Sequence, residues 1–288
     1  MAKEQALLKE CILGDITVRN RLVMAPMTRS RADNANNAPT DLIAEYYAQR
    51  SSAGLIITEG SQISLRAVGY INTPGIHSPA QVEGWKKVTR AVHEKGGKIF
   101  LQLWHVGRMS HPDFHHGELP LSASALNPNS KAFTPQGFKE TVTPKAMSIE
   151  EIKETISDFG KAAKNAMAAG MDGVEIHSSN GYLLHQFFNR TSNIRIDEYG
   201  GSIENRARIL FEVIDSIKNN VPESRIGLRL NPSLHGLFGM TLDEQTIPTF
   251  DYIVQRLNAY KLAYLHLSEP FTDVTNVPGA EPHIARRY

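Results

Sequence analysis

The stretch Ser148–Ile176 reads SIEEIKETISDFGKAAKNAMAAGMDGVEI and holds a helix start, a helix body, a stop and a strand in succession. Ser148 followed three residues later by Glu151 is a capping box, in which hydroxyl and carboxylate satisfy free N–H groups at a helix start. Ile152, Ile156, Phe159, Ala163 and Ala166 then recur three or four residues apart as one apolar stripe. Gly170 supplies the residue that most readily takes the left-handed conformation closing a helix. Gly173–Ile176 follows at once, an apolar run with little polar alternation, as expected of a parallel strand buried on both faces.

The same unit recurs in both directions. Leu22–Ala25, Gly54–Thr58, Lys98–Leu103, Ile226–Leu230 and Ala263–Leu267 are further strand candidates. Ser78-Pro79-Ala80-Gln81 offers an N-cap, a first-turn proline and a capping-box glutamine. Thr241 with Glu244 predicts another capping box, and Ile203, Ala207, Leu210, Ile214 and Ile217 make helix 201–219 amphipathic. With no break in composition, residues 1–288 read as one domain. No strand runs into a G-x-G-x-x-G turn, which argues against an open dinucleotide-binding sheet and for a closed barrel. The expected fold is therefore α/β, a (β/α)8 TIM barrel. Six strand candidates fall short of the eight that closure needs. Val277–Tyr288 is too short for two more βα units, so the last two are expected to be absent from this chain.

His105–Met147 breaks the rhythm with Pro112, Pro120, Pro128, Pro135 and Pro144 and no helical period. Following the third strand, it is expected as a capping loop, 105–147, over the mouth where barrel enzymes do their chemistry. His111, His115 and His116 within it lack a regular ligand geometry and are expected as solvated loop residues, with no metal site. A net charge of +1 gives no reason to expect nucleic acid or an acidic membrane as partner. Cys11 is the only cysteine, which excludes an internal disulfide. Met1–Glu10 has no apolar run of signal-peptide length, so the cytoplasm is the expected compartment, with a monomer or a homodimer as the assembly.

Catalytic groups of a barrel cluster at the C-terminal ends of its strands. Those ends read Pro26-Met27-Thr28-Arg29, Glu59-Gly60, Gln102-Leu103-Trp104-His105, His177-Ser178-Ser179-Asn180-Gly181-Tyr182, Arg229-Leu230-Asn231 and Ser268-Glu269-Pro270. The set is rich in neutral hydrogen-bonding groups and lacks a dense carboxylate cluster, against a magnesium enzyme or a retaining glycosidase. Asn20-Arg21-Leu22-Val23-Met24-Ala25-Pro26-Met27-Thr28-Arg29 resembles the opening segment of the old yellow enzyme family. Gly69-Tyr70 with Thr73-Pro74-Gly75-Ile76 and Gln81-Val82-Glu83-Gly84-Trp85 resembles its next segment, and Phe100 to Arg108 another. His177-x-x-Asn180-Gly181-Tyr182-Leu183-Leu184 and Asp197 to Arg206 complete a series of five motifs in family order. The resemblance spans essentially the whole chain and is greatest to the subgroup of pentaerythritol-tetranitrate and morphinone reductases.

The resemblance implies a bound FMN reduced by NADPH or NADH, and an activated alkene as substrate. It implies His177 and Asn180 as donors to the substrate carbonyl and Tyr182 as proton donor. Ala25, Pro26, Met27, Thr28, Gly60, Gln102 and Arg229 are the implied flavin contacts, and Tyr70 and Trp104 the aromatic pocket walls. The family's grip on the FMN phosphate comes from later segments with no match in this chain. Taken singly, each residue has a blander reading: a hydrogen-bonded structural His, a paired Arg, core or rim aromatics. Two other functions stay open, a flavin-free barrel remnant that binds a partner and a metal-dependent barrel hydrolase using His177.

Overall fold

The computed structural model describes residues 5–288, so the first four residues of the Met1–Glu10 stretch lie outside the described part. Six parallel strands form one sheet in chain order: β1 (Val23–Met24), β2 (Leu55–Gln62), β3 (Ile99–Trp104), β4 (Gly173–His177), β5 (Ile226–Leu230) and β6 (Tyr264–Leu267). Each matches a strand expected from the sequence. Helices α1 (Asp41–Ala48), α2 (Pro79–His93), α3 (Ile149–Ala168), α4 (Leu183–Phe188), α5 (Ile203–Lys218) and α6 (Thr246–Leu257) lie between them. This is a TIM-barrel-type fold whose sheet is open among the described residues: β1 and β6 are each paired on one side only. A cavity of about 290 Å³ separates these two margins, lined by Val23, Ala25, Leu55, Ile57 and Tyr264–Leu267.

The expected burial is realised. Capping boxes form at Ser78/Gln81 and Ser148/Glu151. Ile152, Phe159, Ala163 and Ala166 of α3 are buried, Ile156 partly, and Gly170 closes the helix at φ +84°. The strands sort their side chains by alternation. Ile56, Ile99, Leu101 and Leu103 face the helices in the main core, whereas Leu55, Ile57 and Phe100 face inward onto Ile16 and Val18 of an N-terminal hairpin. That hairpin pairs Cys11–Leu13 with Ile16–Val18.

Inward-facing residues make layers across the sheet. Gly60, Gln102, Glu175, Gly227 and Tyr264 lie in register on β2 to β6. A Cβ at Gly227 would sit 2.2 Å from Cζ of Tyr264, so the small residue makes room for the large one. One step nearer the mouth, His177, Arg229 and His266 are in register.

Three expectations are corrected. The Thr241/Glu244 capping box does not form. Helix α6 starts at Thr246, because Asp243 instead accepts from Gln245 N–H and exchanges hydrogen bonds with Thr246, while Glu244 pairs with Arg190. The stretch 105–147 is not irregular throughout. It holds a hairpin, Lys131–Thr134 with Gly137–Glu140, and a parallel pair, Leu121–Ser122 with Lys145–Ala146. His115 is not solvated: it is buried, its Nε2 2.9 Å from Ser110 Oγ, whereas His116 is exposed. Among the described residues no group of His, Cys, Asp and Glu is placed to hold a metal, and no helix is long and apolar enough to cross a membrane.

Candidate active site

Strand β4 delivers His177 at its C-terminal end, and the chain turns at once through Asn180 and Gly181, both left-handed with φ 57° and 77°. Asn-Gly is the pair that takes two successive positive φ values at least cost, so the turn alone would favour it. The turn sets Tyr182 as the first residue before α4. It is held from below by Gln186, whose Nε2 donates to Gly181 O and Val106 O, and whose Oε1 accepts from Arg108 N–H and Ser122 Oγ.

Four of the expected residues, Tyr70, Trp104, His177 and Tyr182, meet here in one aromatic cluster. Tyr182 stands edge-on to Trp104 at 5.1 Å and to His177 at 5.0 Å between ring centroids. Trp104 stacks on Tyr70 at 5.2 Å, and the Tyr70 and Tyr182 hydroxyls are 3.0 Å apart. Val106, Met109 and Phe238 complete the apolar wall. Burial, reinforced by Tyr70, pushes the Tyr182 phenol well above 10. Burial also holds His177 well below 6.5, helped by the positive field of Arg229. The result is a protonated phenol beside a neutral imidazole.

Asn180 is oriented by chemistry rather than by packing. Asn231 Nδ2 lies 3.1 Å from its Oδ1, so the Asn180 carbonyl is used as an acceptor and its NH2 group remains to donate. Gln102 is oriented in the same way: its Nε2 donates to Glu175 Oε1 at 2.7 Å. Arg229 Nε and Nη2 both reach Ser268 Oγ, at 3.1 and 2.9 Å. Burial pulls Arg229 below the usual arginine range, with the Glu175 carboxylate opposing.

The expected flavin contacts Ala25 to Thr28 are not part of this cluster's wall. Ala25, Met27 and Thr28 are exposed and Pro26 half-buried, just past the marginal strand β1 and two strands from Gln102. Glu59 anchors that segment from behind, accepting Arg29 N–H at 2.9 Å. Gly60 is required by its neighbour: an added Cβ would lie 2.5 Å from Trp104 Cε3. Gly60→Ala should therefore displace the indole and cost about 1–3 kcal/mol of stability, read from urea unfolding. An unchanged midpoint would mean that the ring is free to move.

Sequence reasoning missed Phe238, Asn231, Ser268, Glu175 and His266 as site residues. Asn231 and Ser268 lie in the strand-end segments quoted above but carried no assigned role. Glu175 had a signal, since two residues before His177 on a strand is the same face. Phe238 had none: it arrives from the segment after β5 with φ 53°.

The buried histidines give a pH dependence. Burial pushes His105 and His185 down to about 3, His115 to about 4 and His177 well below 6.5. Unfolded, each takes up a proton near 6.5. The unfolded chain then binds more protons, so stability falls as pH drops from about 6.5 towards about 4. Glu59 opposes this. Burial raises its carboxyl from 4.5 to about 7, a stability contribution complete below 4.5 and lost as pH rises through 7. Four histidines outweigh one carboxyl, so the urea midpoint should be lower at pH 5 than at pH 7. A higher midpoint at pH 5 would contradict the neutral state of these rings.

Comparison with known proteins agrees with this architecture. The NADH:flavin oxidoreductase / NADH oxidase family matches residues 7–279. The chain is 42% identical over 269 residues to the flavin oxidoreductase hxnT of Emericella nidulans, covering 91% of this chain and 69% of that protein. It is 42% identical over 265 residues to a probable flavin mononucleotide-dependent alkene reductase of Leishmania infantum, covering 90% and 72% respectively. The structure of morphinone reductase in complex with tetrahydroNAD aligns with a TM-score of 0.88 at 44% identity, covering 92% of this chain and 74% of that one. Fold, strand-end motifs and relatives agree, and the chain belongs to the NADH:flavin oxidoreductase family of old yellow enzymes.

Proposed function

We propose that this protein is an FMN-dependent ene-reductase that reduces the C=C bond of α,β-unsaturated carbonyl or nitro compounds at the expense of NADPH or NADH. The observation that carries the reading is the set of oriented groups after β4. His177 is neutral, Asn180 has its NH2 left free by Asn231, and Tyr182 is a protonated phenol against the same indole. When bound, FMN supplies the hydride from N5 that adds to the β-carbon of the substrate.

The residues present fit the isoalloxazine ring. Gln102 keeps an amide oxygen and one N–H for a uracil-like edge, since its other N–H is taken by Glu175. Arg229 is a permanent cation for the negative charge of a reduced ring. Thr28, Met27, Pro26 and Ala25 offer an accessible segment, and Gly60 removes a side chain from the floor.

His177 and Asn180 act on the substrate oxygen. Hydride addition places negative charge there, so donors aimed at it stabilise the transition state more than the ground state. Ser179 Oγ lies 3.2 Å from His177 Nδ1, and with that hydroxyl donating, the ring proton sits on Nε2. Tyr182 gives its phenolic proton to the α-carbon, and Tyr70 is the adjoining hydroxyl. Tyr70 and Trp104 wall the substrate. Val106 and Met109, at the root of 105–147, pack on Trp104 and Tyr182, and Arg108 ties that root to Leu126, Phe238 and Gly239 carbonyls. The stretch 105–147 serves as the cap.

The test is the visible spectrum of the purified chain with added FMN, followed by anaerobic NADPH and then cyclohexenone. A flavin band that bleaches and returns supports an ene-reductase. A protein that leaves the FMN spectrum and fluorescence unchanged would sink the reading and favour a flavin-free binding protein.

A further inference from the structure

Glu175 is buried to 0% exposure in the interior of the sheet, and the chemistry after β4 makes no use of it. Its register partners are Gln102 on β3 and Gly227 on β5. Oε1 accepts Gln102 Nε2 at 2.7 Å, and Oε2 lies 2.9 Å from His266 Nδ1 on β6. A single carboxylate thus bridges side chains on β3 and β6 across the inner face. Such a group is costly to bury, and an apolar residue in register would pack without the penalty.

What a carboxylate does here that no amide or hydroxyl does is accept only. An amide facing it has one stable orientation, with NH2 inward. A neutral partner able to donate as well as accept would leave Gln102 free to turn over. The same asymmetry fixes a proton on His266 Nδ1, whatever the charge of that ring. Gly227 supports the arrangement by having no side chain between Glu175 and Tyr264.

We propose that Glu175 is a positioning residue that locks the Gln102 amide. It thereby commits the site to a ligand edge carrying an N–H donor beside a carbonyl acceptor. This deepens the flavin reading and rests on it. FMN presents such an edge, an N–H flanked by carbonyls, and a flipped Gln102 would face that N–H with another N–H. A ligand edge of acceptors alone would be disfavoured for the same reason. Glu175 itself touches no ligand and acts through Gln102.

The test is a double-mutant cycle on the FMN dissociation constant, measured by quenching of flavin fluorescence, with Glu175→Gln, Gln102→Leu and the double variant. Glu175→Gln is close to isosteric and should weaken FMN binding about 10-fold, the size of one mispaired hydrogen bond. In the Gln102→Leu background the same change should cost less than about 2-fold, since no amide remains to be held. Equal losses in both backgrounds, or no loss in either, would overturn the proposal while leaving FMN binding established. A second measurement needs neither flavin nor a variant: side-chain nitrogen NMR of the wild-type chain. The lock requires one Gln102 amide proton protected from exchange and its partner not, with His266 protonated at Nδ1. Two equally exchanging Gln102 protons would overturn it even if the chain binds no FMN, an outcome that by itself would remove only the proposed function.

Discussion

Tyr182→Phe should slow alkene reduction by about 10²–10⁴-fold, the usual contribution of a positioned general acid, while flavin reduction by NADPH stays within about 2-fold of wild type. The phenyl ring keeps its edge contacts to Trp104 and His177, so the aromatic cluster is retained. Only the hydroxyl is lost, along with its 3.0 Å contact to Tyr70. Because burial holds the phenol well above 10, the wild-type alkene step should be flat from neutral pH to about pH 9. Stopped-flow traces of the two half-reactions separate the effects. A parallel loss in both would show that the hydroxyl maintains the site rather than delivering a proton.

The second large effect is expected at the oxyanion donors. His177→Ala and Asn180→Ala should each lower kcat for enone reduction by about 10²–10³-fold, the range found when one aimed donor is removed. The double variant should fall short of the product if, as proposed, the two serve one oxygen. Burial holds His177 neutral, so in the proposed donor role its own titration should not appear in the kcat profile between pH 5 and 8. A sigmoidal fall of kcat centred near 6.5 that disappears in His177→Ala would contradict a neutral donor. Asn180→Ala also removes a residue from a left-handed turn, where alanine is strained. Asn180→Gly keeps the backbone conformation while deleting the donor. Rates equal to wild type in that variant would assign Asn180 to the turn alone.

The sheet was legible because parallel strands buried on both faces leave short apolar runs that little else in the chain imitates. The six runs from Leu22–Ala25 to Ala263–Leu267 became the six strands, in order. The helices with capping boxes at Ser78 and Ser148 were equally readable, since the cap is a local bond. Thr241/Glu244 misled because the same pattern competes with Asp243, which wins the helix start through its bonds with Gln245 and Thr246. Helices α1 and α4 are too short to show a period. The buried state of His115 depends on Ser110 and on its loop packing, which residue type does not reveal. Within the candidate site, the β4 motif pointed to His177, Asn180 and Tyr182, but it did not show that Asn231 orients Asn180, Ser268 holds Arg229 and Glu175 holds Gln102. Each partner lies on or just past the neighbouring strand, where no local spacing points.

Because β1 and β6 are each paired on one side among the described residues, the sheet should breathe from its margins while β2 to β5 stay closed. Backbone amide hydrogen exchange would then show a gradient, fast at Val23–Met24 and Tyr264–Leu267 and slow at Phe100–Leu103 and Val174–Ile176. The division runs through the site itself. His177 and Gln102 are mounted on the quiet centre, whereas Thr28 follows one restless margin and Ser268, which steadies Arg229, follows the other. A ligand spanning both would act as a clasp, slowing exchange at the two margins far more than in the middle.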